Sequence, residues 1–140
     1  MQMQALEDTL RSFDYIDFAL LFGSMVEGST QTLSDVDIGI YTNEPIDLLE
    51  QGYLVSTLED VLQRPVDLVL LNELYKHHPK LAFNIVDKHR ILLNRNHEAY
   101  IEFKTYTYKY YFDQESMYRM FDQSLHKRIV GGTYGKTQAS

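Results

Sequence analysis

The chain has 140 residues, a formal net charge of −7, a hydrophobic fraction of 44% and no cysteine. The length and composition are typical of one globular domain, and the lack of cysteine excludes disulfides and thiolate metal sites. The sequence has no apolar run of the ~18 residues that a membrane span needs. Residues 1–96 carry 7 basic and 15 acidic side chains, which argues against unaided binding of long nucleic acid. No signal peptide opens the sequence, and we expect a cytoplasmic location.

The first half of the chain alternates helical and extended patterns. Residues 3–13 show apolar side chains at helical spacing and predict a helix, and residues 14–22 predict the first strand. A short helix is expected at residues 25–31, a second strand at 35–41, and a longer helix at 46–63. Glycine and polar residues between these segments mark the turns.

The second half continues the alternation. Residues 65–71 are almost entirely apolar and predict a strand buried on both faces. Polar residues 72–78 predict a connection or short helix, and residues 79–89 a helix with Leu81 and Ile85 buried. A short fourth strand at 91–93 precedes one long helix, or two broken ones, at 97–128.

This order of elements predicts an α/β (α+β) fold. Helices would pack on a small mixed β-sheet, and a C-terminal helical segment at about 97–130 would close the domain. We expect one domain over residues 1–130 and a disordered tail over residues 131–140.

Two groups of residues suited to chemistry lie between the end of the first predicted strand and the start of the second. Gly23 and Ser24 form a turn that can open a helix, where free N–H groups and a hydroxyl favour a phosphate. After ten intervening residues come Asp35 and Asp37, which point to the same face of a strand because they are two residues apart. Paired carboxylates repel each other unless a cation lies between them, and Mg²⁺ prefers such oxygen ligands. A bare Asp-x-Asp pair would more often be solvated; the preceding Gly-Ser turn favours phosphoryl or nucleotidyl transfer.

Asp67 is the only acidic residue in the third predicted strand. It could simply face water at the entry of the strand. Alternatively, it could lie on a strand next to Asp35 and Asp37, where a third carboxylate could bind a second metal ion and accept a proton.

The pattern Gly23, Ser24, Asp35, Asp37 resembles the signature of the nucleotidyltransferase superfamily that includes DNA polymerase beta. At this size the chain is most similar to the minimal nucleotidyltransferase (MNT) antitoxins encoded beside HEPN-domain toxin ribonucleases. The resemblance implies the nucleotidyltransferase fold, metal binding by Asp35 and Asp37, a matching third aspartate at Asp67, and phosphate binding by Gly23 and Ser24.

One departure from the superfamily pattern follows the Gly-Ser turn. Many relatives have an arginine there, whereas this chain has Met25. A triphosphate contact is therefore missing, and other basic residues are candidates to replace it: Lys76, Lys80, Lys88, Arg90 and Arg95. Each one taken singly is more commonly a surface residue. His77 and His78 are interpreted as part of a polar surface loop, with a nucleotide or partner contact as the alternative.

The resemblance implies a specific function. The chain would be an antitoxin that uses Mg²⁺, plausibly two ions, to transfer AMP from ATP to a tyrosine of its HEPN toxin. One alternative is an antitoxin that neutralises the toxin by binding alone. Another is a small-molecule nucleotidyltransferase, which usually carries an additional helical domain.

The tyrosines form a compositional anomaly. Six of the eleven fall between Tyr100 and Tyr118 and cover more than one face of the last predicted helix. Either this is a wide core stripe, or part of it is an interface for a protein partner, since Tyr and Met are enriched at interface centres. The resemblance to MNT antitoxins favours the interface.

Overall fold

A four-stranded mixed sheet organises the computed structural model, which describes residues 2–23 and 35–131. The strands are β1 (Ile16–Phe22), β2 (Val36–Thr42), β3 (Val66–Leu70) and β4 (Arg90–Asn94). Their spatial order is β3-β2-β1-β4. β1 pairs antiparallel with β2 and with β4, whereas β2 and β3 are parallel. The predicted mixed sheet is thereby confirmed.

Five helices accompany the sheet in the described part of the chain. They are α1 (Met3–Arg11), α2 (Leu48–Leu62), α3 (Leu74–His77), α4 (Pro79–Asp87) and α5 (His97–Gly131). α2 begins two residues later than the sequence predicts, because the Asp47 side chain caps it by accepting a hydrogen bond from the Glu50 N–H at 2.8 Å. α5 is one helix of 35 residues, which decides between the two predicted possibilities.

The helices pack on both faces of the sheet. Leu6 and Leu10 of α1 and Leu54 and Leu58 of α2 are fully buried in a cluster with Ile38 and other residues of one face. The opposite face packs against α3, α4 and α5 in a second cluster: Phe18, Leu20, Leu71, Leu74, Ala82, Ile85, Val86, Ala99, Tyr100 and Phe103. In β2, the alternate residues Val36, Ile38 and Ile40 all belong to the first cluster, as the period of a strand requires.

Two burial predictions were wrong. β3 is an edge strand: Val66 is buried, but Asp67 is exposed and the remaining three residues are only half-buried. Its apolar composition predicted a strand buried on both faces, yet one side of it has no neighbouring strand among the described residues. Leu81 is 39% exposed rather than buried, because α4 turns Ala82, Ile85 and Val86 towards the core instead.

Some predictions fall on residues outside the described ranges. These are the short helix at residues 25–31 and all but the first residue of the predicted tail at 131–140. Within the described ranges, no helix has the length and apolar character needed to cross a membrane.

Candidate functional site

The register of the sheet places two of the predicted carboxylates side by side. Asp37 of β2 and Asp67 of β3 are direct partners in the parallel ladder. Adjacent strands lie about 4.8 Å apart, so the two Cα atoms are neighbours across the ladder. Asp35 comes immediately before β2, two residues from Asp37. The structure thus brings all three predicted acids to one end of the sheet.

The burial of the β2 residues that alternate with the acids shows to which face of the sheet these carboxylates point. Val36, Ile38 and Ile40 are completely buried against α1 and α2. Because successive strand residues point to opposite faces, Asp35 and Asp37 belong to the other face, the side of α3 to α5. A slip of one residue would bury the acids and expose the apolar side chains, so the hydrophobic pattern itself specifies where the acids lie.

Gly23 lies directly against this group. The antiparallel register pairs Phe22 with Asp37, so Gly23 follows β1 at the level of the carboxylate. Its φ is +78°, a conformation that L side chains rarely adopt, and a Cβ atom at this position would collide with Oδ2 of Asp37. Glycine is therefore required here for two reasons, and the backbone comes close to the carboxylate. Ser24 and Met25 lie outside the described residues.

The electrostatics of the site are unfavourable for the isolated chain. Burial, followed by the charges of Asp67 and Asp35, raises the pKa of Asp37 above its ordinary value. Within the described residues, none of the three carboxylates has a hydrogen bond or an ion pair that would offset this repulsion. An incoming cation would relieve it.

The donor set suits a hard cation, but the described residues do not form a closed metal centre. Three carboxylates offer the oxygen ligands that Mg²⁺ prefers. Yet no group of three Asp, Glu or His side chains in the described ranges is arranged to hold a metal ion. The chemistry of the residues fits Mg²⁺, while the ligand geometry is open enough to need a further contributor, such as the phosphates of a nucleotide.

Arg95, a candidate for a phosphate contact, forms hydrogen bonds within the fold instead. Its guanidinium donates to the carbonyl oxygens of Phe13 at 2.9 Å and Ile16 at 3.2 Å, and also to that of Arg11. Arg11 ends α1 and Ile16 begins β1, so Arg95 stabilises the connection between this helix and this strand. It lies after β4, at the opposite end of the sheet from Asp37.

The other basic candidates are spread over the surface. Lys76 forms an ion pair with Glu73 at 3.6 Å, beyond the far end of β3. Lys80 is exposed in the first turn of α4, and Lys88 follows the last turn. Arg90 is exposed and pairs with Leu21 in the ladder of β1 and β4, which puts its backbone at the same end of the sheet as Gly23.

The two neighbouring histidines lie far from the carboxylates. His77 and His78 line an open groove with Thr42 and Asn72, at the end of β2 opposite to Asp37. His77 is 3.8 Å from Glu73. The groove lacks the acids of the site, so the surface interpretation of this pair agrees with its position.

Glu59 supports the site in a way that the sequence did not reveal. Its carboxylate accepts a hydrogen bond from the Val66 N–H at 2.9 Å. This bond ties α2 to the first residue of β3, next to Asp67. The only available signal was the short distance along the chain from Glu59 to the predicted strand.

The aromatic residues of α5 divide between core and surface. Tyr100 and Phe103 are buried against Phe18, whose ring lies 5.5 Å and 5.9 Å from theirs. Further along, Tyr111 stacks on Phe83 of α4 at 4.1 Å. Several large side chains of this helix stay exposed: Ile101, Tyr106, Tyr108, Tyr110, Phe112, Met117 and Met120. The stripe is wider than the core of the described chain needs.

Several solved structures with a similar fold are toxin–antitoxin complexes. A chain of a toxin–antitoxin complex with AMP-PNP has a TM-score of 0.73 and 20% identity, and the match covers 90% of this chain and 99% of that one. A chain of the complex between a tri-AMPylated Shewanella oneidensis HEPN toxin and an MNT antitoxin has a TM-score of 0.65 and 18% identity, covering 89% and 99%. A chain of the MntA–HepT complex has a TM-score of 0.64 and 20% identity, covering 88% and 98%.

These matches confirm the fold that the resemblance implied. Among curated proteins, no sequence matches the chain. The family model described as "Polymerase beta, Nucleotidyltransferase" matches residues 4–98, which include all the described strands and all three carboxylates. The chain belongs to the polymerase beta nucleotidyltransferase family.

Proposed function

We propose that this chain is an antitoxin that transfers AMP from ATP to a tyrosine of a HEPN ribonuclease toxin. The observation that carries the proposal is the pairing of Asp37 with Asp67 beside Gly23, in a chain of the nucleotidyltransferase family. Similar folds occur in toxin–antitoxin complexes, one of them with AMP-PNP and one with an AMPylated HEPN toxin. The active domain would span residues 1–130 and act in the cytoplasm.

In this proposal each residue has a definite role. Asp35 and Asp37 would hold Mg²⁺, and Asp67 would contribute to a second ion. When bound, Mg²⁺ neutralises phosphate charge and polarises the phosphoryl oxygens. Gly23 leaves room for a phosphate against the backbone, and Ser24 would donate its N–H or hydroxyl to it.

The transfer itself is a displacement at the α-phosphorus of ATP. The tyrosine oxygen forms a bond to that phosphorus, the bond to the bridging oxygen of the β-phosphate breaks, and pyrophosphate leaves with the bonding electrons. The phenolic proton passes to Asp67, which lies exposed at the edge of the sheet and is a base within reach of an incoming protein. A toxin tyrosine that carries AMP gains bulk and negative charge, which would repel RNA.

A role by binding alone is the second candidate. It is favoured by the open arrangement of the acids, since the described residues form no closed metal centre. It is disfavoured by the burial and the repulsion that raise the pKa of Asp37, because an antitoxin that only binds gains nothing from them.

Intact-mass spectrometry separates the two candidates. The chain is incubated with ATP, Mg²⁺ and the purified product of the adjacent reading frame, next to an Asp35→Ala, Asp37→Ala double variant. A mass gain of one or more AMP units on the partner, absent with the variant, is the expected result. A stable complex without any mass gain would instead support neutralisation by binding.

A further inference from the structure

The first turns of α2 expose an unusual amount of apolar surface. Leu48 and Leu49 are each 83% exposed and Tyr53 is 61% exposed. Leu48 and Leu49 are the first two residues of the helix, and the Tyr53 ring rests edge-on against Phe13 at 6.1 Å. Large apolar side chains that are exposed next to one another commonly mark an interaction surface.

Gly52 provides a second and independent observation. It lies inside α2, where glycine is less favourable than alanine. A Cβ atom at this position would meet nothing within 4 Å, so no packing in the chain explains the glycine. Its missing side chain leaves an open depression that Leu48, Leu49, Tyr53 and Ser56 surround. A glycine at such a position allows another backbone or a large side chain to come close to the helix.

The charges around the depression indicate which kind of molecule could bind in it. Asp47 and Glu50 line it, Glu44 lies just before it in sequence, and no Lys or Arg is among its lining residues. A second copy of the chain would bring acids against acids, and a nucleic acid would be repelled. The fitting occupant is a protein surface with basic residues around a large apolar side chain that enters the depression over Gly52.

The depression also borders the edge strand that carries Asp67. A shallow groove runs along α2 and β3 and is lined by Leu48, Gly52, Ser56, Glu59 and Asp67. The carboxylate of Asp67 belongs to the opposite face of the sheet, so a protein that is anchored at Leu48 and Tyr53 reaches it by following this groove round the edge of β3. We infer that the depression at Leu48, Leu49, Gly52 and Tyr53 is where the basic acceptor protein docks for AMP transfer; this inference rests on the proposed function.

The test uses substitutions that change the depression and leave the carboxylates intact. Gly52→Leu fills it with a side chain that meets nothing in the chain, so circular dichroism and the melting temperature should show a fold at least as stable as the original. A Leu48→Asp, Leu49→Asp double variant removes the apolar anchors. The matched control is Asp60→Leu, which puts a leucine at an exposed position of the same helix outside the depression.

Binding to the product of the adjacent reading frame is measured by isothermal titration calorimetry, and AMP transfer in parallel by intact mass. We expect Gly52→Leu and the double Asp variant to weaken binding at least tenfold, and Asp60→Leu to change it less than twofold. Binding of Gly52→Leu at the original affinity, or no binding by the unmodified chain, would overturn the docking inference. A changed oligomeric state of Gly52→Leu would overturn it in favour of a second copy. Normal complex formation without any AMP transfer would overturn the proposed chemistry while the docking surface stands.

Discussion

The two ends of the sheet differ in the hydrogen bonding of their polar side chains. At the far end, where β2 finishes, Asn72 accepts a hydrogen bond from the Thr42 N–H at 3.0 Å and donates to the Thr42 carbonyl at 2.7 Å. Asp17 accepts from Asn43 at 3.4 Å and from Asn96 at 3.1 Å. At this bonded end, polar groups satisfy one another and stabilise the fold.

At the carboxylate end, the three acids have no hydrogen-bond partner among the described residues. Asp35, Asp37 and Asp67 approach each other without a hydrogen bond in the described chain, and Gly23 adopts a positive φ to fit against them. Charge repulsion and an unusual backbone conformation both lower stability, and they are tolerated where function needs them. The difference between the ends therefore supports the proposal that the carboxylate end is the active centre.

The largest expected effect is on AMP transfer. Asp37→Asn keeps the size of the side chain but removes a charge that the nucleotide's metal ion needs, and we expect a loss of about 10³-fold or more in transfer rate. The same substitution at the bonded end, Asp17→Asn, should retain transfer within about threefold and serves as the matched control. The rate of mass gain on the acceptor protein measures both. Equal losses in the two variants would show that the ends do not differ in function.

Gly23→Ala should reduce both stability and activity. The new Cβ is strained by the positive φ and collides with the Asp37 carboxylate, so we expect about 2 kcal/mol of lost unfolding free energy. Urea denaturation measures this, and transfer at a temperature where the variant is folded should still fall at least about tenfold. Gly52→Ala is the control, because it should not destabilise the chain. Normal stability of Gly23→Ala would contradict the close approach to Asp37.

Arg95→Ala should affect stability alone. It removes the donors to the carbonyls of Phe13 and Ile16, and because Arg95 is exposed we expect a loss of only about 1 kcal/mol. Urea denaturation again provides the measurement. Transfer by the folded variant should stay within about twofold of the original. A strong loss of transfer with normal stability would return Arg95 to the role of a phosphate ligand.

The smallest expected effect depends on pH. The pKa of Asp37 is raised in the folded chain above its ordinary 3.8, so ionisation at neutral pH destabilises the fold. This penalty is absent below the ordinary pKa and grows as pH rises through the folded value. Asp37→Asn should therefore melt about 2 °C higher than the original at pH 7, and the gain should disappear below about pH 4. Calorimetric melting across this range checks the sign; an unchanged gain at low pH would refute the electrostatic cause.

Much of the site could be predicted because local patterns determine it. The apolar residues between Asp35 and Ile40 alternate, so the face of the acids follows from the sequence. Gly23 and Asp37 approach across a single antiparallel pairing. The neighbour relation of Asp37 and Asp67 required one assumption about strand order, which the resemblance supplied.

What could not be predicted depends on contacts between distant residues. Arg95 reaches carbonyls about 80 positions earlier in the chain, and nothing in the local sequence indicates that. The edge position of β3 also escaped prediction, because an edge strand half-covered by α2 has the same apolar composition as a central one. Glu59 looks like a surface acid until β3 is placed next to α2.

The most direct test of the central claim is Mg²⁺-dependent binding of AMP-PNP, measured by isothermal titration calorimetry on the chain alone. If the carboxylate end is the active centre, the original chain binds the analogue in the presence of Mg²⁺, and EDTA abolishes this binding. Asp37→Asn should weaken the affinity for the analogue at least tenfold, and Asp17→Asn should change it less than twofold. Binding by Asp37→Asn that equals that of the original chain would contradict the account.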